Sequence, residues 1–218
     1  MSSRLSKVSV WVWVVAFFVV ATAAAWGILQ FNTLVAHKLS RSKLIRIENP
    51  SMEPGIPAGS LVPYDLDAYK SASPKFGDIV VFMTPARYFE SGLFVSRCVG
   101  LPGDIVEIKD RQLIRNGKVV PESYVGNVPI RDFKLVRVKG AIIPFQYGAR
   151  PGYRDPVRME HEIEDPAAIR ALSQQVPVAI PSGHIVVFGD NRLHSIDSRY
   201  WGPLPLTKVV GKVQRFAL

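Results

Sequence analysis

The stretch FVSRCVGLPGD, residues 94–104, runs an apolar strand straight into a Leu-Pro-Gly-Asp turn. Strand formers punctuated by Pro, Gly and Asp are the signature of β-structure. The pattern recurs. GDIVVF at 77–82 has a near-copy in GHIVVFGDN at 183–191, each a glycine turn feeding an apolar strand, and both read as core strands. SLVPYD, DIVEIKD, QLIRNGKVV, FKLVRVKGAIIPFQYG and VVGKVQRFAL are further short runs rich in Val, Ile and Phe. Within IRNGKVV, Asn116 and Gly117 predict a tight hairpin, since both tolerate the positive φ that such a turn needs.

One window outside the N-terminus is helical. EDPAAIRALSQQ, residues 164–175, offers Asp165 as N-cap and Pro166 in the first turn. The patterns together predict a mostly β fold. A chain of 218 residues is long enough to bury a proper core. Residues 118–181 carry fewer motifs than their flanks and read as an inserted β-rich subdomain. Residues 48–117 and 182–218 form the core it interrupts, and 30–47 the connection and first strand.

Residues 8–29, VSVWVWVVAFFVVATAAAWGIL, are 22 consecutive positions without a charge. A bilayer core needs about 20 apolar residues, whereas the apolar region of a cleaved signal peptide is about 7–15 long. The length therefore favours an uncleaved transmembrane helix over residues 8–29. Flanking charge does not fix the orientation: Arg4 and Lys7 precede the span, and Lys38, Arg41, Lys43 and Arg46 follow it.

The formal charge of +9 comes from 27 Lys and Arg against 18 Asp and Glu. The basic residues are scattered, with no basic arm or Lys/Arg-aromatic stripe, so nucleic acid is not expected as a partner. A basic domain tethered to an anionic lipid bilayer explains the charge. Cys98 is the single cysteine, which excludes an intramolecular disulfide and a CxxC metal knuckle.

Two polar stretches stand apart. In ENPSMEPGI, residues 48–56, Ser51 sits between Pro50 and Met52 in a stiff loop; alone it reads as a turn serine. GDNRLHSIDSRYWGPLP, residues 189–205, crowds Asp190, Asn191, Arg192, His194, Ser195, Asp197, Ser198 and Arg199 between an apolar strand and a Trp-Gly-Pro turn. Such density requires mutual hydrogen bonds once the loop is even partly buried.

Taken together these stretches resemble the type I signal peptidases (peptidase family S26), membrane-anchored serine proteases that remove signal peptides from exported proteins. NPSMEPGI resembles the family's nucleophile loop, YDLDAYKSASPKFGDIVVF its next segment, RCVGLPGD the segment around the general base, and GDNRLHSIDSRYWGPLP its terminal signature. The match covers residues 48–110 and 182–211, in the family's order. It implies a β-barrel-like catalytic core behind one N-terminal membrane helix, with residues 1–7 on the cytoplasmic side and the core facing the periplasm or cell exterior from the inner (cytoplasmic) membrane. It implies Ser51 as nucleophile, Asn49 and the Ser51 N–H as oxyanion donors, Ser195 and Asp197 as the groups orienting the base, and Arg199 as their brace. No metal and no cofactor are implied, and the chain is expected to act as a monomer.

The pattern breaks at one position. The family's nucleophile is activated by a neutral lysine just before the Arg of RxVGLPGD, and here that place is Ser96. A serine hydroxyl is no useful base at neutral pH, and the guanidinium of Arg97 stays protonated. Histidine is the side chain that titrates near neutrality, which makes His194 the alternative base; His184 and Lys109 are less well spaced. Two readings follow. One is a signal peptidase, cleaving preproteins after small residues, with activity impaired by Ser96. The other is a non-catalytic binder of signal peptides that keeps the groove.

Overall fold

The computed structural model describes residues 10–40, 42–84, 92–126, 128, 130–147 and 165–214. Residues 1–7 of the expected cytoplasmic N-terminus, 148–164 of the expected insertion and 215–218 of the expected core lie outside the described residues. Two compact units are present, residues 1–42 and 43–218.

The first unit is the helix α1 (Val10–Ser40), 31 residues long. Within it, Val12–Thr33 has a mean hydropathy of 2.3 over its most apolar window and is long and apolar enough to cross a membrane. At 1.5 Å per residue the whole helix is about 46 Å, longer than the roughly 30 Å hydrocarbon layer. Thr22 and Thr33 hide their hydroxyls by donating back to carbonyls one turn earlier, which suits an apolar medium.

The second unit is built from strands. In chain order they are β1 (Ser42–Arg46), β2 (Leu61–Asp65), β3 (Ile79–Met83), β4 (Leu93–Gly100), β5 (Val106–Lys109) and β6 (Gln112–Arg115). There follow β7 (Lys118–Val120), β8 (Asp132–Val138), β9 (Ala141–Tyr147), the helix α2 (Pro166–Gln174) and β10 (His184–Phe188). The short helix α3 (Ser198–Trp201), β11 (Leu204–Pro205) and β12 (Val209–Val213) complete it. One sheet has the order β1-β2-β12-β3-β4-β10-β11, the other β7-β6-β5-β8-β9. The fold is mostly β.

The second sheet begins at β5, ahead of residue 118, so the GLPGD turn after β4 is the crossing between the sheets. Asp104 fastens this turn by accepting from Leu101 N, Arg115 Nε and Asn116 Nδ2 at 2.8, 2.7 and 2.7 Å. The hairpin at Asn116 and Gly117 forms with φ of 52° and 75°. Asp165 caps α2 by accepting from Ala167 N and Ala168 N. The other end of α2 is held by Lys134, whose Nζ donates to Ser173 O at 2.7 Å and Gln175 O at 2.6 Å.

The two sheets share a core. Val99, Val186 and Phe188 of the first pack with Val106, Ile108, Leu113, Phe133 and Leu135 of the second. Phe133 and Phe188 meet edge to face, ring centroids 5.4 Å apart, a favoured aromatic geometry. A second cluster gathers Ile45, Ile47, Met52, Val62, Val81 and Val95. A third holds Val80, Phe82, Cys98, Ile185, Val187 and Leu204. Burial pushes the Cys98 thiol up to about 12, which marks it as a packing residue, not a reactive one.

Candidate active site

Ser51 lies on a single 3-10 turn, Pro50–Met52. Pro50 presets the first φ of that turn, and Met52 is fully buried, driving the turn against the core. Burial of a methionine side chain is worth about 1.5–3 kcal/mol, enough to pin so short a turn. Asn49 is its N-cap: Oδ1 accepts from Ser51 N at 3.1 Å. The two groups that the resemblance pairs as oxyanion donors are thus bonded to each other here. The turn packs against β4.

On β4, Ser96 is 3% exposed and pairs with Val80 of β3. Strand alternation puts it on the face of Phe94 and Cys98, against the cluster of Val80 and Phe82. Any amine placed there would be desolvated, the condition that favours its neutral form.

The polar stretch 189–199 leaves β10 beside this point, since Phe188 pairs with Arg97. A Cβ on Gly189 would stand 2.2 Å from Ser195 Oγ and 2.6 Å from Ser51 O. Only glycine lets the Ser51 turn and Ser195 approach that closely. Asn191 N seals the contact by donating to Ser51 O at 2.9 Å.

Asp197 is fully buried and its carboxylate accepts five bonds. Oδ2 takes Gly189 N, Ser195 Oγ and Arg199 Nη2 at 2.9, 2.8 and 2.7 Å. Oδ1 takes Arg199 N and Nε at 3.1 and 2.8 Å. Arg199 also donates to Arg192 O at 2.8 Å and Ser195 O at 3.2 Å, so it ties the whole loop together. His194 is exposed, whereas Ser195 is buried. His184 is half-buried with Nδ1 2.9 Å from Ser182 O, and Lys109 is exposed at the end of β5.

Three charged partnerships were not legible as site features. Arg97 grips Asp190 with two bonds, 2.8 and 2.6 Å. Burial pulls the Arg97 guanidinium down, but Asp190 outweighs it and holds it above its usual value. Arg192 pairs with Glu122, and Tyr124 joins Glu122 to Arg97. Among the described residues no group of three or more His, Cys, Asp or Glu is placed to hold a metal ion.

An open groove of about 670 Å³ leads to Ser51. Leu44–Asn49 form one side and Gly92–Val95 the other. These walls come from β1 and β4, which three strands separate in sheet order, so the sheet curls like part of a barrel.

A family model described as signal peptidase, peptidase S26, matches residues 10–217. The chain belongs to this family. Signal peptidase I of Bacillus caldolyticus is 29% identical over 203 residues, covering 93% of this chain and 86% of that protein. Signal peptidase I of Pseudomonas aeruginosa is 29% identical over 214 residues, 86% of this chain and 69% of that protein. Thylakoidal processing peptidase 1 of Arabidopsis thaliana is 28% identical over 193 residues, 84% of this chain. The chain spans 40% to 58% of the length of the plant and cyanobacterial relatives it matches. A crystal structure of signal peptidase I from Enterococcus faecalis V583 is similar with 27% identity and a TM-score of 0.40, over 65% of this chain and 97% of that one.

Proposed function

We propose that the chain is a membrane-anchored serine endopeptidase scaffold that receives signal peptides of exported preproteins in the groove beside Ser51, with turnover suppressed by Ser96. The observation that carries the reading is the convergence at Gly189. The Ser51 turn and the buried Ser195–Asp197–Arg199 cluster meet there, next to the strand position that a base would occupy.

The peptide enters extended and adds to the exposed backbone of the groove walls, its small side chains turned into apolar pockets. Ser51 Oγ attacks the carbonyl at the scissile bond, and its proton needs an acceptor within hydrogen-bond reach. Among the described residues, none of the candidate acceptors supplies one. Ser96 offers a hydroxyl, Arg97 is held cationic by Asp190, Asp197 already accepts five bonds, and His194 is exposed. Loss of general-base catalysis costs about 10²–10⁴-fold, more where groups act as a unit. In this reading the anchor lies in the cytoplasmic membrane with the second unit on the periplasmic or extracellular side, acting as a monomer.

Ser96 also favours a second reading, a non-catalytic holder of signal peptides. Cleavage of a signal-peptide substrate in detergent by the unaltered chain, Ser96→Lys and Ser51→Ala separates the two. Cleavage by Ser96→Lys alone supports the silenced protease. Binding without cleavage by all three supports the holder. Efficient cleavage by the unaltered chain that Ser51→Ala abolishes places the base elsewhere, and His194→Ala is then the next variant.

A further inference from the structure

We propose that Glu122 and Tyr124, on the loop after β7, are positioning residues for the candidate site and set the geometry of the 189–199 loop; the proposal rests on the functional reading above. Both fall in the stretch expected to be a decorating insertion, outside every recognised motif.

Arg192 is the largest fully buried side chain among the described residues, at 1% exposure. A guanidinium taken out of water is costly unless a carboxylate and further hydrogen bonds meet it. Glu122 supplies the carboxylate, Oε1 lying 2.5 Å from Arg192 Nη2, with its own side chain 8% exposed. The rest of Arg192 is committed to the loop. Nε donates to Gly189 O at 3.1 Å, and its backbone carbonyl accepts Arg199 Nη1 at 2.8 Å. Nη1 is buried without a hydrogen-bond partner among the described residues. Among the described residues Glu122 is therefore the charge that holds this arginine in place.

Tyr124 carries the same hold to the other end of the loop. Its hydroxyl donates to Glu122 Oε1 at 2.7 Å, and its ring lies under Arg97, with Cζ 3.9 Å from the centroid. Arg97 in turn binds Asp190. Thus one short segment steadies two of the three arginines that hold Gly189–Arg192, the residues against which Ser51 and Ser195 are placed. Without the Glu122 charge, Arg192 must turn toward solvent or draw Gly189 O with it. Either motion disturbs the Gly189–Asp197 bond and the seat of Ser195.

The experiment uses the full chain in detergent, with Glu122→Gln, Glu122→Asp and Tyr124→Phe each made with Ser96 and with Ser96→Lys. In the Ser96 chain, amide hydrogen exchange is followed by mass spectrometry. Glu122→Gln is expected to speed exchange across 189–199 about tenfold, with strands β5, β8 and β9 within about twofold. In the Ser96→Lys chain, Glu122→Gln is expected to lower kcat about 10–100-fold with KM nearly unchanged, as a small misplacement near the chemistry does. Glu122→Asp recovers part of the loss, and Tyr124→Phe produces a smaller one. Exchange that is unchanged, or that rises equally throughout both sheets, overturns the proposal, as does a change confined to KM. Should Ser96→Lys not cleave, the protease reading fails by itself, and the exchange pattern alone upholds or overturns the positioning role.

Discussion

Arg97 holds Asp190 through two parallel bonds, Nε to Oδ1 at 2.8 Å and Nη2 to Oδ2 at 2.6 Å, one residue beyond Ser96. The Asp190 side chain is 1% exposed, and this fork is the ion pair that compensates its charge. Removing one partner of a buried pair costs about 3–5 kcal/mol, because the other charge is stranded. Arg97→Gln should lose stability on that scale in guanidinium unfolding. Arg97→Lys should lose less, keeping the charge but not the planar fork. A fully stable Arg97→Gln chain would mean that water reaches Asp190.

Gly189→Ala tests the crowding between the Ser51 turn and Ser195. The added methyl meets Ser195 Oγ and Ser51 O well inside contact distance, and the backbone oxygen cannot swing away as a flexible chain end can. In the Ser96→Lys chain the expected result is loss of cleavage by at least about 100-fold, the scale of a misplaced reacting group. Near-normal cleavage would show that the two segments separate in the working state.

Asn49 has two possible duties that mutation can divide. As a helix cap its Oδ1 holds Ser51 N–H; as an oxyanion donor its Nδ2 meets the substrate while Ser51 N–H is released. A missing oxyanion donor costs about 10²–10³ in kcat, whereas a lost cap costs about 1 kcal/mol of stability. Asn49→Ala in the Ser96→Lys chain is expected to lose kcat on the larger scale, and Asn49→Ser, with a hydroxyl donor, to recover much of it. A shift in thermal midpoint with kcat intact would leave Asn49 as a cap only.

Asp104 predicts an acid dependence. Burial raises its carboxyl, but bonds from Arg115, the Leu101 amide and Asn116 outweigh this and hold it below the usual carboxylate range. The folded chain thus binds this proton less readily than the unfolded chain. Its stabilising share is complete above the unfolded carboxylate value of about 3.9 and disappears as pH falls through the lowered folded value. Asp104→Asn should be less stable at neutral pH and lose less on acidification, read from unfolding midpoints at pH 7 and pH 3. Parallel pH curves for the two chains would contradict the assignment.

What could be read from the sequence was local. The Asn116–Gly117 turn, the Asp165 cap and the strand runs each declare themselves within a few residues, because φ preferences and capping act over that range. The stretches that form the Ser51 turn and the 195–199 cluster were singled out through resemblance. The ion pairs were not, for Arg97 and Asp190 lie 93 positions apart and Glu122 and Arg192 lie 70 apart. A charge in a sequence carries no mark of its distant partner. The stretch around Glu122 looked featureless for that reason, and the second sheet reached back to β5 because pairing there is decided by the turn after β4.

Along β4 the duties of structure and chemistry fall on alternate residues. Val95 packs in the core and Arg97 anchors Asp190, while Ser96 faces the other way between them. Ser96 is itself 3% exposed against Val80 and Phe82, so a longer side chain at 96 must be accommodated by that cluster. On the proposed reading, a lineage carrying this scaffold surrenders or regains the proton acceptor by one residue exchange together with a local repacking around Val80 and Phe82.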